Sequence, residues 1–209
     1  MILECRAVLF DVDGVLVDST ASVERSWTRW AREHGLDPAA VLEGVHGRRS
    51  TETVRMYLPE AQAGEGLRWI DELEIGDAGT TVAIPGAAEL LASLAGNWAV
   101  VTSASRPLLE ARLAAAGLPL APVVVTAADV SRGKPDPEGY LLGARRVGVP
   151  IEECAIFEDS GNGLAAAVAA GPAAVVGVGR GALDSPVVQD LAGIRWSGAG
   201  LRVDAVLRA

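Results

Sequence analysis

The feature that most constrains this fold is a regular alternation of short apolar runs and helical segments after Pro85 and Gly86. Several helical segments end at a glycine, which is a common stop signal just past a helix. Repeated strand–helix alternation indicates a parallel sheet with right-handed crossovers. In such a sheet, ligands bind outside the carboxyl ends of the strands. The predicted strands are 98–101, 123–125, 155–157 and 173–178, and the predicted helices are 87–94, 108–116, 138–147 and 164–170.

The amino-terminal part of the chain has a different pattern. The apolar run 7–10 ends in acidic residues and predicts a buried parallel strand. Residues 19–79 are rich in helix formers, carry tryptophans at amphipathic spacing and contain no strand-like run, so we expect about four helices there. The predicted fold is α/β, with a Rossmann-like core of residues 1–16 and 82–209 and an inserted helical domain of residues 17–81.

Composition excludes several classes of protein. The chain has 209 residues and a formal net charge of −9, whereas nucleic-acid binders usually carry a basic face. Its longest apolar runs are broken well short of the roughly 20 residues that a membrane span needs. Cys5 and Cys154 lie far apart in apolar runs, which is typical of reduced, buried thiols in a cytosolic protein. We therefore expect a cytoplasmic protein without a nucleic-acid or membrane partner.

The first chemical motif follows the strand 7–10. Asp11 and Asp13 lie two residues apart, and like charges this close repel unless a cation or a shared proton is present. With a divalent metal, one carboxylate can attack phosphorus while the other handles the proton of the leaving group. Gly14 allows a sharp turn and a close approach of the backbone to a ligand. A calcium loop of the EF-hand type is excluded, because Ser22 stands where its bidentate glutamate belongs.

Two further motifs follow predicted strands. Thr102, Ser103 and Ala104 come after the strand 98–101 and before a helix, where a hydroxyl and free backbone N–H groups can hold phosphate oxygens. The same segment is also a good helix N-cap, and the sequence does not decide whether Thr102 or Ser103 is the phosphate-binding hydroxyl. Glu158 and Asp159 form a second acidic pair at a second strand end, and such oxygen-rich sites are chosen by hard cations.

The remaining motif, Gly133-Lys134-Pro135, contains the only lysine of the chain. If arginine replaces lysine in this chain wherever both residues are functional, a lysine is retained only where a compact ammonium is needed. An ammonium beside a nucleophilic carboxylate can hold it in place and offset the charge of a phosphate. Lys134 is therefore a candidate catalytic residue.

Together, D-x-D-G-x-[LV]-x-D-S, T-S-A-S-R, G-K-P-x-P and E-D-S-G-N-G resemble, in this order, the motifs of the haloacid dehalogenase superfamily. The resemblance implies a Mg²⁺-dependent phosphatase with Asp11 as nucleophile and Asp13 as general acid/base. It implies that Asp11, the backbone carbonyl of Asp13, and Asp159 bind the metal, and that Glu158 binds it directly or through water. The insert matches the family's mobile cap.

Arginines in the insert are candidates for substrate binding. Arg48 and Arg49 follow Gly47 and could bring positive charge onto a phosphorylated substrate. His46, beside them, is not expected to ligate a metal, because no second histidine stands at ligand spacing. The resemblance implies a small substrate, such as a sugar, polyol or glycerol phosphate, and we expect a monomer or weak dimer.

Two alternatives stay open at this stage. A sugar phosphomutase of the β-phosphoglucomutase type is disfavoured, because such mutases carry a cap lysine and an arginine three residues after the cap glycine, where this chain has Ser50. A non-catalytic binding protein on the same fold is disfavoured because it would not need both Asp11 and Asp13 together with Lys134. Both remain distinguishable only by experiment.

Overall fold

The computed structural model describes residues 2–45, 47–179 and 186–204, so His46 lies outside the described residues. These residues form eleven strands and eight α-helices. The strands are β1 (Ile2–Glu4), β2 (Ala7–Phe10), β3 (Val17–Asp18), β4 (Val82–Ala83), β5 (Trp98–Val101), β6 (Val123–Val125), β7 (Cys154–Glu158), β8 (Ala174–Val178), β9 (Val187–Val188), β10 (Ile194–Trp196) and β11 (Gly200–Val203). The helices are α1 (Thr20–Glu33), α2 (Pro38–Leu42), α3 (Ser50–Tyr57), α4 (Glu60–Asp77), α5 (Ala87–Ser93), α6 (Arg106–Ala115), α7 (Glu138–Val147) and α8 (Gly161–Ala170).

A six-stranded parallel sheet forms the centre of the core, in the order β6-β5-β2-β7-β8-β9. Strand β2 is completely buried, and its successive side chains point to opposite faces of the sheet. Val8 and Phe10 join the apolar cluster that contains α5 and α6. Ala7 and Leu9 join the cluster that contains α7 and α8. The predicted α/β class with a Rossmann-like parallel core is confirmed.

The helical insert lies between β3 and β4, which pair antiparallel where the chain leaves and re-enters the core. Its four helices enclose a separate apolar cluster that includes Trp27, Trp30 and Ile70. Trp30 is fully buried, and its indole N–H donates to the carbonyl oxygen of Gly66 at 2.9 Å. The predicted helical insert of about four helices is therefore confirmed, while the boundaries 17–81 stay a prediction.

Some elements differ from the sequence expectation. Helix α6 begins at Arg106 rather than at 108, because Ser105 caps it and proline is tolerated in a first helical turn. Strand β7 is one residue longer at each end than predicted. The sequence pattern missed the antiparallel sheet β1-β11-β10 and the short strands β3, β4 and β9, whose runs are too brief for a periodic signal. Within the described ranges, no helix is long and apolar enough to cross a membrane.

Gly86 and Gly171 provide a matched test of close packing in the core. Both have positive φ, +83° and +73°, but a Cβ on Gly86 would lie 2.3 Å from the backbone carbon of Leu191, whereas Gly171 has nothing within 4 Å. We expect Gly171→Ala to lower the free energy of unfolding by about 1 kcal/mol through backbone strain alone. Gly86→Ala should cost about 2 kcal/mol more, because the backbone of the 191 segment must move. Equilibrium urea denaturation measures both losses, and equal losses would contradict the close contact.

Candidate active site

The predicted site residues meet at one edge of the central sheet. Asp11 follows β2, Glu158 ends β7, and Thr102 follows β5. Strand β2 lies between the other two, with Phe10 in register with Phe157 on one side and Val100 on the other. Because all three strands are parallel, their carboxyl ends bring the motif residues together, where ligands of such sheets bind.

A buried ammonium joins two of the carboxylates. Nζ of Lys134 lies 2.9 Å from Oδ2 of Asp11 and 2.5 Å from Oε1 of Glu158. The three residues are only 7%, 5% and 0% exposed. The hydroxyl of Tyr140 donates to the same Oε1 at 2.7 Å, and its ring lies 5.4 Å from Nζ. Lys134 is therefore fixed between two acidic groups in a site from which water is largely excluded.

Burial and the neighbouring charges shift the pKa values in this cluster. Burial raises the pKa of Asp11 well above its usual range. The ammonium of Lys134 acts to lower this pKa, whereas the negative charges of Glu158 and Asp159 raise it further. Burial opposes the charged form of Lys134, but Asp11 and Glu158 outweigh it and raise the pKa of the ammonium. Burial also acts to raise the pKa of Glu158, but Lys134 and the hydrogen bond from Tyr140 lower it. Burial followed by the charge of Glu158 raises the pKa of Asp159 to about 7.

The donor set fits a hard divalent cation. Asp11, Glu158 and Asp159 each offer a carboxylate oxygen, and these oxygens lie within 4.8 Å of one another. Oxygen-only groups of this kind suit Mg²⁺, whose charge would offset the repulsion that raises the pKa values of Asp11 and Asp159. Gly14 permits this arrangement, because a Cβ at its position would lie 1.9 Å from Oδ2 of Asp159.

The hydrogen bonds of Glu158 bear on its predicted role at the metal. Its Oε1 accepts from Lys134 and Tyr140. Its Oε2 accepts from the backbone N–H groups of Asp159 and Ser160 and from the Ser160 hydroxyl. A carboxylate oxygen has about two lone-pair sites, so both oxygens are already occupied. These hydrogen bonds compete with both predicted modes of metal contact, direct or through water, and the choice between the two stays a prediction.

The side chain of Asp13 lies outside this acidic group. The hydroxyl of Ser19 donates to its Oδ1 at 2.6 Å, and Nη1 of Arg112 donates to its Oδ2 at 2.8 Å. Its side chain is 31% exposed and lines the same cavity as Asp11. The two aspartates of the first motif thus have different partners, although only one residue separates them.

Residues of the second motif also line this cavity. Thr102 is buried, and its hydroxyl oxygen accepts from the backbone N–H of Ala104 at 3.1 Å. Ser103 is half-buried, and its hydroxyl donates to the carbonyl oxygen of Gly47 in the insert at 3.3 Å. All three residues face the cavity with Asp11, so either hydroxyl could reach a bound phosphate, and the choice between Thr102 and Ser103 stays open.

The two candidate arginines of the insert lie in different places. Arg48 lines the cavity together with Asp11. Arg49 does not line it, and its Nη2 lies 2.5 Å from Oε1 of Glu52. The Arg49 guanidinium also donates to the carbonyl oxygen of Val130 in the core at 3.2 Å. Its predicted contact with substrate stays a prediction, and its observed contacts join the insert to the core.

The sequence interpretation assigned no role to four polar residues of the site, of which only Ser19 belongs to a motif: Ser19, Glu74, Arg112 and Tyr140. Arg112 is buried together with Leu109 and Leu113, and Glu74 is buried on the same helix as Ile70. A charged residue three or four positions from apolar neighbours occupies the inward face of an amphipathic helix. That position is the signal that could have identified Arg112 and Glu74.

Comparison with known proteins identifies the family of the chain. A family model described as haloacid dehalogenase-like hydrolase matches residues 5–171, which include all four motifs. The chain belongs to this family. The resemblance predicted from the motifs is therefore confirmed.

Relatives within the haloacid dehalogenase-like hydrolases include characterised enzymes. The chain is 43% identical over 175 residues to hexitol phosphatase A of Escherichia coli (strain K12), with 81% of each chain covered. It is 30% identical to glycerol-1-phosphate phosphohydrolase 2 of Saccharomyces cerevisiae, with 81% of this chain and 73% of that protein covered. The structure of CbbY from Rhodobacter sphaeroides in complex with xylulose-(1,5)bisphosphate matches with a TM-score of 0.80 at 25% identity, covering 94% of this chain and 99% of CbbY. The prediction that the chain is a phosphatase of this family is confirmed.

The raised pKa of Asp159 predicts how stability varies with pH. The folded protein holds this proton more tightly than the unfolded chain, whose aspartates titrate near about 4. The contribution of Asp159 to stability is therefore present at low pH and lost as pH rises through about 7. In EDTA, we expect Tm to fall between pH 5 and pH 8, and Mg²⁺ to reverse much of this fall by binding the folded state. Thermal melts across this range measure both effects.

Asp159→Asn is the matched variant for this experiment. It should flatten the dependence of Tm on pH in EDTA and weaken the response to Mg²⁺, because the neutral amide neither titrates nor ligates the metal well. A variant that Mg²⁺ stabilises as much as the parent would remove Asp159 from the predicted metal site.

The position of Lys134 predicts that arginine cannot replace it. A guanidinium is planar and larger than the ammonium that lies between Asp11 and Glu158. We expect Lys134→Arg to lower kcat/KM for phosphate esters at least about tenfold, or about 1.4 kcal/mol. Arg146→Lys, at the exposed pair with Asp129, is the control and should keep full activity. A fully active Lys134→Arg enzyme would mean that the single lysine reflects composition alone.

Proposed function

We propose that this chain is a Mg²⁺-dependent phosphomonoesterase that hydrolyses a small polyol, sugar or glycerol phosphate through an aspartyl-phosphate on Asp11. The observation that carries the proposal is the buried contact of Asp11 with Lys134, beside Asp159 and at the mouth of a cavity that the insert covers. This arrangement combines a nucleophile, a cation that offsets phosphate charge, and ligands for a divalent metal.

Each residue has a defined role in the proposed reaction. Asp11 attacks phosphorus, and a bond forms between a carboxylate oxygen of Asp11 and phosphorus as the ester P–O bond breaks. Asp13 gives its proton to the leaving alcohol and afterwards takes a proton from the water that hydrolyses the aspartyl-phosphate. Lys134 holds Asp11 and offsets the charge of the transferring group. Mg²⁺, when bound by Asp11, Asp159 and the backbone carbonyl of Asp13, supplies further positive charge for that group.

The phosphate-binding and substrate-binding roles follow from the lining of the cavity. Thr102, Ser103 and Ala104 lie between β5 and α6 and line the cavity, where hydroxyl and backbone N–H groups can hold phosphate oxygens. Arg48 is the insert cation at the cavity, and it is positioned to contact the substrate. Gly14 completes the wall next to Asp159 by letting the backbone approach closely.

The proposed substrate class rests on the insert and on the relatives. The cavity wall combines apolar side chains, such as Trp27 and Val45, with polar groups, including Thr20 and Ser50. Such a mixture suits a small hydroxylated alcohol, whose carbons contact the apolar side while its hydroxyls form hydrogen bonds. Two relatives are named for a hexitol phosphate and a glycerol phosphate activity, which have this chemistry. We propose that the insert acts as a cap over such a substrate.

The cytoplasmic location of the protein and its monomeric or weakly dimeric state stay predictions.

A panel of hexitol phosphates, hexose phosphates and glycerol phosphates, each with Mg²⁺, tests the proposal by release of inorganic phosphate. We expect turnover of several small esters and loss of nearly all of it in EDTA. Asp11→Asn should fold normally and lose at least about a thousandfold in kcat, because an amide cannot form the acyl phosphate. Asp204→Asn, at an exposed surface pair with Arg202, is the matched control and should keep full activity. Less than tenfold loss in Asp11→Asn would exclude the nucleophile role.

A second assay with the same protein distinguishes hydrolysis of the ester from transfer of the phosphoryl group back to a sugar. The protein is incubated with β-glucose 1-phosphate, Mg²⁺ and a trace of glucose 1,6-bisphosphate. A phosphatase releases free phosphate, whereas a mutase must exclude water until the phosphoryl group has returned to the sugar. Glucose 6-phosphate that accumulates faster than free phosphate would contradict the proposal.

A further inference from the structure

A buried chain of ionic hydrogen bonds connects the insert to Asp13. Nη2 of Arg112 donates to Oε1 of Glu74 at 2.8 Å, and Nη1 of Arg112 donates to Oδ2 of Asp13 at 2.8 Å. Arg112 belongs to α6 in the core, whereas Glu74 belongs to α4 in the insert. Arg112 is 3% exposed and Glu74 is 5% exposed. A residue of the insert is therefore linked to Asp13 through one guanidinium.

Stability alone does not explain this arrangement. Removing charges from water costs several kcal/mol per ion, and a buried ion pair often stabilises a protein no better than apolar side chains of similar volume. The pKa of Glu74 reflects that cost, because burial raises it to about 7 despite the opposing charge of Arg112. Surface pairs such as Arg25–Asp77 join charged side chains without such burial. A role of the buried chain in the reaction is the better explanation.

The geometry at Asp13 indicates what that role is. Its Oδ1 accepts from Ser19 and its Oδ2 accepts from Arg112, so two donors on opposite oxygens fix the plane of the carboxyl group. The side chain remains 31% exposed toward the cavity, where a leaving group would lie. A proton donor must be held within hydrogen-bond reach of the oxygen that it protonates. The guanidinium can hold Asp13 there only while its own position is fixed, and Glu74 fixes it.

We propose that Arg112, held by Glu74 of the insert, is a positioning residue that aligns Asp13 with the leaving oxygen of the ester. The inference rests on the proposed function, in which Asp13 protonates that oxygen. As the P–O bond breaks, the proton of Asp13 moves to the leaving oxygen and the electron pair of the O–H bond stays on Asp13. The resulting carboxylate faces the positive charge of Arg112. Because Glu74 comes from the insert, alignment of Asp13 requires the insert to lie against the core.

Phosphate esters whose leaving groups differ in basicity test this proposal. An alkoxide needs a proton as it leaves, whereas p-nitrophenolate leaves readily without one, so only alkyl esters depend strongly on an aligned acid. Arg112→Gln and Glu74→Gln should each lower kcat/KM for glycerol 1-phosphate by about thirtyfold or more, and for p-nitrophenyl phosphate by less than about fivefold. Arg112→Lys keeps one charged donor and should restore part of the loss on the alkyl ester.

A second contact between the same two helices provides the control. Ser105, the N-cap of α6, donates to Oδ1 of Asp71 of α4 at 2.6 Å, whereas the carboxylate of Asp13 accepts from Ser19 and Arg112. Asp71→Ala removes this contact between insert and core and should leave the ratio of alkyl to aryl kcat/KM within about twofold of the parent value, because it does not disturb the proton donor. If Asp71→Ala changes the ratio as much as Glu74→Gln does, closure in general is responsible, and the proposal is overturned.

Three further outcomes complete the test. Asp13→Asn should reproduce the preference for the aryl ester, and an equal loss on both esters there would refute the proposed role of Asp13 rather than that of Arg112. With that preference established, equal losses on both esters in Arg112→Gln and Glu74→Gln would overturn the inference. A rise in KM that follows the number of substrate hydroxyls would instead assign Arg112 to substrate binding and also overturn it. Should Arg112→Gln fail to fold, which circular dichroism would detect, the isosteric Glu74→Gln decides.

Discussion

The ammonium of Lys134, buried between Asp11 and Glu158, is the interaction on which the rest of the site depends. Parallel strands bring acidic residues to one edge of the sheet, and burial there makes their repulsion costly. One compact cation contacts both carboxylates and limits that cost. Glu158 also accepts hydrogen bonds from the hydroxyl of Tyr140 and from the backbone N–H of Ser160, the N-cap of α8. Asp11, the proposed nucleophile, is thus connected through Lys134 to the interior of the core, which fixes its orientation.

Sequence patterns predicted those parts of the molecule that short-range chemistry determines. Strands β2, β5 and β6 were predicted to the residue, because buried parallel strands are continuous apolar runs bounded by polar residues. The grouping of Asp11, Glu158 and Asp159 could be predicted because each lies at the carboxyl end of a strand, and parallel strands end at the same edge. A sharp turn could be predicted at Gly14, whose φ is +76°, but its close approach to the side chain of Asp159 could not.

What could not be predicted depends on partners distant in sequence. Strand β1 pairs with β11 at the other end of the described chain, and neither short run carries a periodic pattern. The hydroxyl of Tyr140 contacts Glu158 because α7 packs against the central sheet, and a local sequence window does not contain that packing. Glu74 and Arg112 lie on different helices, and nothing in the spacing of either helix identifies the other residue. The hydrogen bonds that Lys134, Tyr140 and the backbone donate to Glu158 could likewise not be predicted from sequence spacing, because the fold brings these donors together.

The two aspartates of the first motif show how one short segment places two carboxylates in different environments. Asp11 is almost fully buried against Lys134, whereas Asp13 stays partly exposed between Ser19 and Arg112. Neighbouring carboxylates take different roles when their environments differ, and the environments here differ in the cation as well as in exposure. A lysine is a point charge that fits between two carboxylates at one sheet edge, whereas an arginine is a rigid fork whose two ends can contact carboxylates from separate parts of the fold. Exchanging the two cations would therefore disturb both aspartates. An arginine at position 134 would displace Asp11, because the guanidinium is larger than the ammonium. A lysine at position 112 could not hold Asp13 and Glu74 in a fixed geometry at the same time.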